Sequence, residues 1–421
     1  MKEGNKAVVI SIDAMTGTDY DELSKREAFS SLISHSSLVE NIHTLWPSYT
    51  YPCHAAIITG CYPGKSGIFH NEKLDITRKK NEWFWWEKDI KRKTIIEYAG
   101  EAGLTTAAIG WPVTAGGKAD YTIPEIWPLE DTPDAEGMYR RAVSEKAWPV
   151  FMHNRECLVE RKGHYYDIYT TGSAEEIIEK YNPDLILIHL SALDSVKHTS
   201  GSDPSVLRNA YDYVDSCLSR IVKASVDAGT YPDTTFFLLG DHGQMDIKRS
   251  FALNRVLAGK GFITLENDRI ESWRILSHPS SFSAEIYLDG ISEKEAISVL
   301  EEIREEYPGT IERIYSAFEA EEIYHLSGPF GIVVESTPGT YLPFSPFLPV
   351  LKDRTDGPYS SHGYAPEKGP KPVFAVCGKA AAEGVRIPWA RLVDEGPTIL
   401  SLFGITMDGD IDGRVIEGLL R

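Results

Sequence analysis

The chain has 421 residues, of which 42% are hydrophobic and 25% charged, and its net charge is -19. That length exceeds what one ordinary core fills, so one large domain with an insertion, or two domains, is expected. The acidity argues against a nucleic-acid polymer as partner, because phosphate backbones select clustered Lys and Arg, whereas a small anion stays compatible if metal reverses the sign locally.

The opening "MKEGNKAVVISIDA" contains no apolar stretch of signal-peptide or membrane-span length, so a cytoplasmic protein without membrane contact is expected. Continuous apolar runs follow at 7–12 (AVVISI), 105–111 (TTAAIGW), 184–190 (DLILIHL), 234–240 (TTFFLLG) and 372–378 (PVFAVCG). Runs without alternation suit strands buried on both faces of a parallel sheet. Helical stretches separate them; in 205–229 the residues Leu207, Tyr211, Val214, Leu218, Ile221 and Val222 recur at helical spacing, and Gly229 closes the pattern. The expected fold is therefore α/β: a doubly wound, mostly parallel sheet with helices on both faces. Between 256 and 350 the texture changes to a compact α+β insertion, so the core is expected from 1–255 plus 351–421. Five scattered cysteines (53, 61, 157, 217, 377) without a C-x-x-C pair make neither a disulfide framework nor a Cys-type zinc site.

Three of the runs end in aspartate: Asp13, Asp194 and Asp241. In an open α/β sheet ligands bind beyond the carboxyl ends of the strands. Three acids delivered there repel one another unless a cation lies between them. Histidines accompany them: His198 four residues after Asp194, His242 directly after Asp241, and His362 in a later Gly-containing turn. Any one of these is more often a turn, a cap or a structural imidazole. Their conjunction points to two adjacent divalent cations, and carboxylate with imidazole suits zinc, or manganese. Three aspartates and a threonine alkoxide carry about four negative charges, matching two such ions.

The stretch "PSYTYPCH" (47–54) places Thr50 at a helix start, with Ser48 as its rival. Threonine there is an ordinary cap worth about 1 kcal/mol. The same position offers free N–H groups to a phosphate and, beside a metal, an activated hydroxyl.

The segment "TYPCHAAIITGCYPGKSGIFHN" (50–71) resembles the nucleophile segment of the nucleotide pyrophosphatase/phosphodiesterase family, within the alkaline phosphatase superfamily. The resemblance extends through "LDSVKH", "GDHGQ", "SSHGY" and the closing "GPTILSLFGI" and "DGRVI"; it does not cover 256–350. It implies an alkaline-phosphatase-like fold and two zinc ions. Asp194, His198 and His362 would hold one ion; Asp13, Asp241 and His242 would hold the other, with Thr50 beside it as nucleophile. It implies that Asn71 and the backbone N–H of Tyr51 donate to a phosphoryl oxygen, a role worth about 3 kcal/mol in comparable oxyanion sites. The implied activity is hydrolysis of phosphodiester or nucleotide pyrophosphate bonds in a small phosphorylated substrate through a phospho-threonine. A phosphomonoesterase or phosphonate hydrolase with the same metals is the alternative, and a binding protein that has lost catalysis is a third reading. Cys53 replaces the family's Asn, Lys197 its Gly, Gln244 its Met, and "HGYAP" its "HGYDN". These departures bear on substrate choice: Lys197 is either exposed or a contact for a substrate anion. Trp83, Trp85 and Trp86 either stack on a flat substrate group or belong to a core.

Overall fold

The computed structural model describes residues 4–78, 80–158, 164–353 and 358–421. Its central sheet has eight strands, in the order Arg386–Ile387, Ser36–Val39, Phe374–Gly378, Thr234–Leu239, Lys6–Ile12, Leu185–Leu190, Thr106–Ile109 and Tyr121–Ile123. The pairs from Thr234–Leu239 to Tyr121–Ile123 are parallel. Phe374–Gly378 runs antiparallel to both of its neighbours, a direction that its apolar run could not reveal.

The strands read as continuous apolar runs because both faces are covered. Alternate residues of Lys6–Ile12 serve different cores. Val8, Ile10 and Ile12 pack with Tyr211, Val214 and Leu218 of the helix Arg208–Asp227. Ala7 and Val9 pack with Ile57 of the helix Thr50–Thr59 and with Ile399 and Leu400 near the C-terminus. The expected 205–229 helix thus forms as Arg208–Asp227, and Gly229 follows with φ +72°.

Register sets up the site. Ile12 lies opposite Leu190 and Ser11 opposite Leu239, so three adjacent parallel strands end in step. Whatever follows each strand is delivered to one edge.

A second sheet is antiparallel, in the order Ile275–Pro279, Ser283–Leu288, Ile332–Ser336 and Ile311–Ser316, with its own apolar cluster around Leu276, Ile286, Leu300, Ile303 and Val334. Within "IERIYSAFEAEEIY" the strand gives way to a helix at Ser316, whose hydroxyl accepts from the Glu319 amide while Glu319 answers to the Ser316 amide. Among the described residues no helix is long and apolar enough to cross a membrane.

Candidate metal centre

The three acids converge, Asp13 just beyond Lys6–Ile12, Asp241 just beyond Thr234–Leu239 and Asp194 not at its strand end but in the first turn of the helix Ala192–Ser200, and two clusters form. Asp13, Asp241 and His242 each place a donor atom within 4.8 Å of the others, and so do Asp194, His198 and His362. In the first, His242 Nε2 lies 3.4 Å from Asp13 Oδ1 and 3.2 Å from Asp241 Oδ2. Both of those oxygens are buried and lack any hydrogen-bond partner. In the second, His198 Nε2 is 3.4 Å from Asp194 Oδ2 and His362 Nε2 is 3.8 Å from Asp194 Oδ1. The rings of His242 and His362 stack at 4.1 Å, joining the clusters.

Electrostatics shows what a cation here would relieve. Burial, then Asp194 and Asp241, push the Asp13 carboxyl well above its ordinary range, and burial also raises Asp241. Neither gains a Lys or Arg partner among the described residues. Burial likewise pushes His242 down to about 3, so its imidazole is neutral, the form that ligates metal.

Supporting groups fix the ligands. His198 Nδ1 lies 2.8 Å from the Ser360 carbonyl, a contact that puts the proton on Nδ1 and leaves Nε2 a lone pair. Gln244 Nε2 donates to Asp194 Oδ1, and its own Oε1 accepts from Ser360 Oγ at 2.6 Å. Asp241 Oδ1 accepts from the Ala14 amide at 3.0 Å, and Ala14 adopts φ +60°, a strained conformation for a residue with a Cβ. Gly363, after His362, has φ +87°; a Cβ there would fall 1.8 Å from the Ser280 carbonyl. Ser283 Oγ donates to the Gly363 carbonyl, and Ser48 Oγ accepts from the Gly363 amide at 3.1 Å. Ser48 is therefore a brace for the His362 turn.

Thr50 is the first residue of its helix, with Tyr49 as the N-cap residue. Its Oγ1 is 3.1 Å from His242 Nε2, at the mouth of the Asp13 cluster. His54, one turn on, sits 2.7 Å from the Thr50 carbonyl through Nδ1 and 2.9 Å from Ser11 Oγ through Nε2. The Tyr51 amide donates to Asn71 Oδ1 at 2.9 Å. This differs from the expectation that both groups point at a substrate: the amide holds Asn71, whose Nδ2 is the remaining donor.

Two expected contacts are corrected. Lys197 is 2% exposed, and its ammonium meets Asp19 Oδ2 at 2.6 Å and the Ala14 carbonyl at 2.8 Å. It is neither exposed nor a substrate contact, because burial of its charge requires Asp19. Trp86 packs against Lys88 and beside Gly116, on the apolar cluster that contains Tyr51. Trp83 meets the Tyr51 ring at 5.1 Å, and Trp127 meets both Trp83 and Trp85. Trp85 is buried with its indole N–H unpartnered. Cys53 is buried 3.3 Å from Thr44 Oγ1, its thiol pushed up by burial.

Sequence reasoning passed over His54 and Glu125 and marked Gln244 only as a departure from the family pattern. The four-residue spacing from Thr50 to His54 was a usable signal; Glu125, half-buried near Tyr51 and raised to about 8, had none.

The family model for type I phosphodiesterase / nucleotide pyrophosphatase matches residues 7–364. Human ectonucleotide pyrophosphatase/phosphodiesterase family member 1 is 24% identical over 230 residues, 52% of this chain and 21% of the relative. Alkaline phosphatase PhoD of Zymomonas mobilis is 26% identical over 182 residues, 41% of this chain and 30% of the relative. The matched stretches thus take up a minor part of those relatives' own length. Murine ectonucleotide pyrophosphatase / phosphodiesterase 5 superposes with a TM-score of 0.71 at 18% identity, over 99% of this chain and 100% of that one. An inactive threonine-to-alanine variant of that murine protein, solved in complex with AMP, gives the same TM-score. The fold is alkaline-phosphatase-like, and with the family match spanning nearly the whole chain, the protein belongs to the type I phosphodiesterase / nucleotide pyrophosphatase family.

Proposed function

We propose that this chain hydrolyses phosphodiester or nucleotide pyrophosphate bonds with two divalent cations, zinc by the chemistry of its donors, and with Thr50 as nucleophile. The observation that carries the reading is Thr50 Oγ1 at 3.1 Å from His242 Nε2, beside two buried carboxylate oxygens with no partner. Asp13, Asp241 and His242 would hold one ion; Asp194, His198 and His362 would hold the other. Such ions, when bound, neutralise phosphoryl charge and lower the pKa of a neighbouring hydroxyl.

Thr50 Oγ1 gives up its proton to solvent and forms a bond to phosphorus as the bond to the leaving oxygen breaks, giving a phospho-threonine. Water then takes the phosphoryl group, and Thr50 recovers its hydroxyl proton. Asn71 Nδ2 donates to a non-bridging oxygen, its amide held by the Tyr51 N–H. His54 holds the Thr50 carbonyl and so the first turn of the helix. Trp83, beside Tyr51, offers a face for a nucleobase, in keeping with the AMP bound by the murine relative.

A diester is favoured over a monoester because the nearby cations are committed. Lys65 pairs with Asp410 and Asp412, and Lys197 with Asp19, so neither offers charge to a third phosphoryl oxygen. The test is turnover of p-nitrophenyl thymidine monophosphate against p-nitrophenyl phosphate, with and without chelator. Chelator-sensitive preference for the diester is expected; failure on both by zinc-replete protein overturns the reading.

A further inference from the structure

Away from the strand ends, another set of buried groups lies where the second sheet meets the core. His278 and Glu285 stand opposite each other on the antiparallel strands Ile275–Pro279 and Ser283–Leu288, so their side chains share a face. His70 comes from the core, one residue before Asn71. Donor atoms of the three lie within 4.8 Å of one another. The His70 and His278 rings stack at 3.9 Å, and His70 Nε2 is 3.9 Å from Glu285 Oε2.

These groups are badly served by protein alone. His278 is 2% exposed and Glu285 is fully buried, yet both ring nitrogens of His278 and Oε2 of Glu285 have no hydrogen-bond partner. Among the described residues, the imidazole of His70 is the only ion-pair contact of Glu285. Three orphaned polar atoms in one place each carry a desolvation cost that a native fold rarely leaves unmet. Apolar residues would pack there at no such cost.

The geometry points to a third divalent-cation site, separate from the two at the strand ends, held by His70, His278 and Glu285 and suited to zinc. Two imidazoles and a carboxylate form a recognised zinc donor set, with bonds of about 2.0–2.2 Å that would draw these side chains slightly together. His70 gives up something: its Nδ1 now accepts from the Glu72 amide at 2.8 Å, and its Nε2 is 3.2 Å from the Pro279 carbonyl. Ligation through Nε2 moves the ring proton to Nδ1 and releases both contacts. The ion ties the second sheet to the loop that presents Asn71. Tyr49 links it to the strand-end clusters, its ring 5.3 Å from that of His70 and 4.6 Å from that of His362. Its role is positional, since none of the three residues reaches Thr50.

The test is zinc-edge anomalous diffraction and elemental analysis on protein purified without chelator or added metal. The expected result is a peak between His278 and Glu285, with one equivalent of zinc lost in both His278→Gln and Glu285→Gln. Wild-type crystals without that peak, or variants that keep the wild-type zinc content, overturn the inference. If the variants do not fold, wild-type diffraction decides alone. Peaks at the strand ends without one here sink this site and spare the two-ion hydrolase. A peak here without the other two does the reverse.

Discussion

The two clusters at the strand ends differ in how far water reaches them. Asp241 and His242 are wholly buried, whereas His198 keeps 30% and Asp194 13% of its side chain exposed. The buried cluster also has two acids to one imidazole, and the open cluster one acid to two. Desolvation and repulsion therefore concentrate on the Asp13 side, where Thr50 stands. On the proposed two-ion reading, the more tightly held and slowly exchanging ion would lie on the Thr50 side, and the open side would be left for substrate and leaving group.

The largest effect should come from Thr50→Ala, which removes the proposed nucleophile without removing an aspartate or histidine. A fall in kcat of about 1,000-fold or more is expected at unchanged zinc content. Retained turnover would end the assignment of the buried side to attack. Lys197 stakes the helix Ala192–Ser200, which carries Asp194 and His198 of the open cluster, to Ala14 and Asp19, beside the buried one. Lys197→Met should cost about 3–5 kcal/mol in denaturant unfolding, because Asp19 stays buried without its partner. An unchanged stability with a raised KM would instead return Lys197 to the substrate. Asn71→Ala should lower kcat/KM by about 100–1,000-fold, with the loss in kcat. A loss seen mainly in KM would mean that Asn71 binds ground state and transition state alike.

Burial on this side can also be read by pH in metal-free protein. Glu125 is raised to about 8 from an ordinary 4.5, chiefly by burial. The folded state then holds a proton that the unfolded chain has released, so stability falls as pH rises from about 4.5 to about 8. The drop should be on the order of 5 kcal/mol, and Glu125→Gln should remove it. An unaltered slope in that variant would mean that Glu125 is ionised when folded. The smallest effect is expected from Gln244→Ala. Loss of its bonds to Asp194 should weaken zinc at the open cluster by about 10–100-fold, measured by competition with a chelator. Loss from the buried cluster instead would break the distinction between them.

Much of the strand-end site could be read from sequence because strand register does the assembling. Once Asp13, Asp194 and Asp241 are each seen to follow a buried run, a parallel sheet brings them together without further information. Lys197 was misread for the opposite reason: its burial depends on Asp19, far away in sequence, and a helical position beside His198 carries no sign of that. Gln244 stood out only as a departure from the family pattern, since its contacts run to Asp194 and Ser360 from elsewhere in the chain. The strand Ile275–Pro279 went unread because "ILSHP" is short and ends in proline. With it went His278, whose cross-strand partner Glu285 only the ladder reveals.

The close approach at Gly363 has a consequence for how such proteins diversify. The His362 turn is moulded against the Ser280 carbonyl with no room for even a methyl group, and Ser283 holds its carbonyl from the same side. The second sheet is thus one wall of the mould that shapes the candidate ligand His362. Exchanging it for the corresponding piece of a relative, in the hope of transplanting substrate preference, would succeed only if the graft reproduced the Ser280–Ser283 corner. The Ser280–Ser283 corner and the shape of the His362 turn in this chain are inherited together.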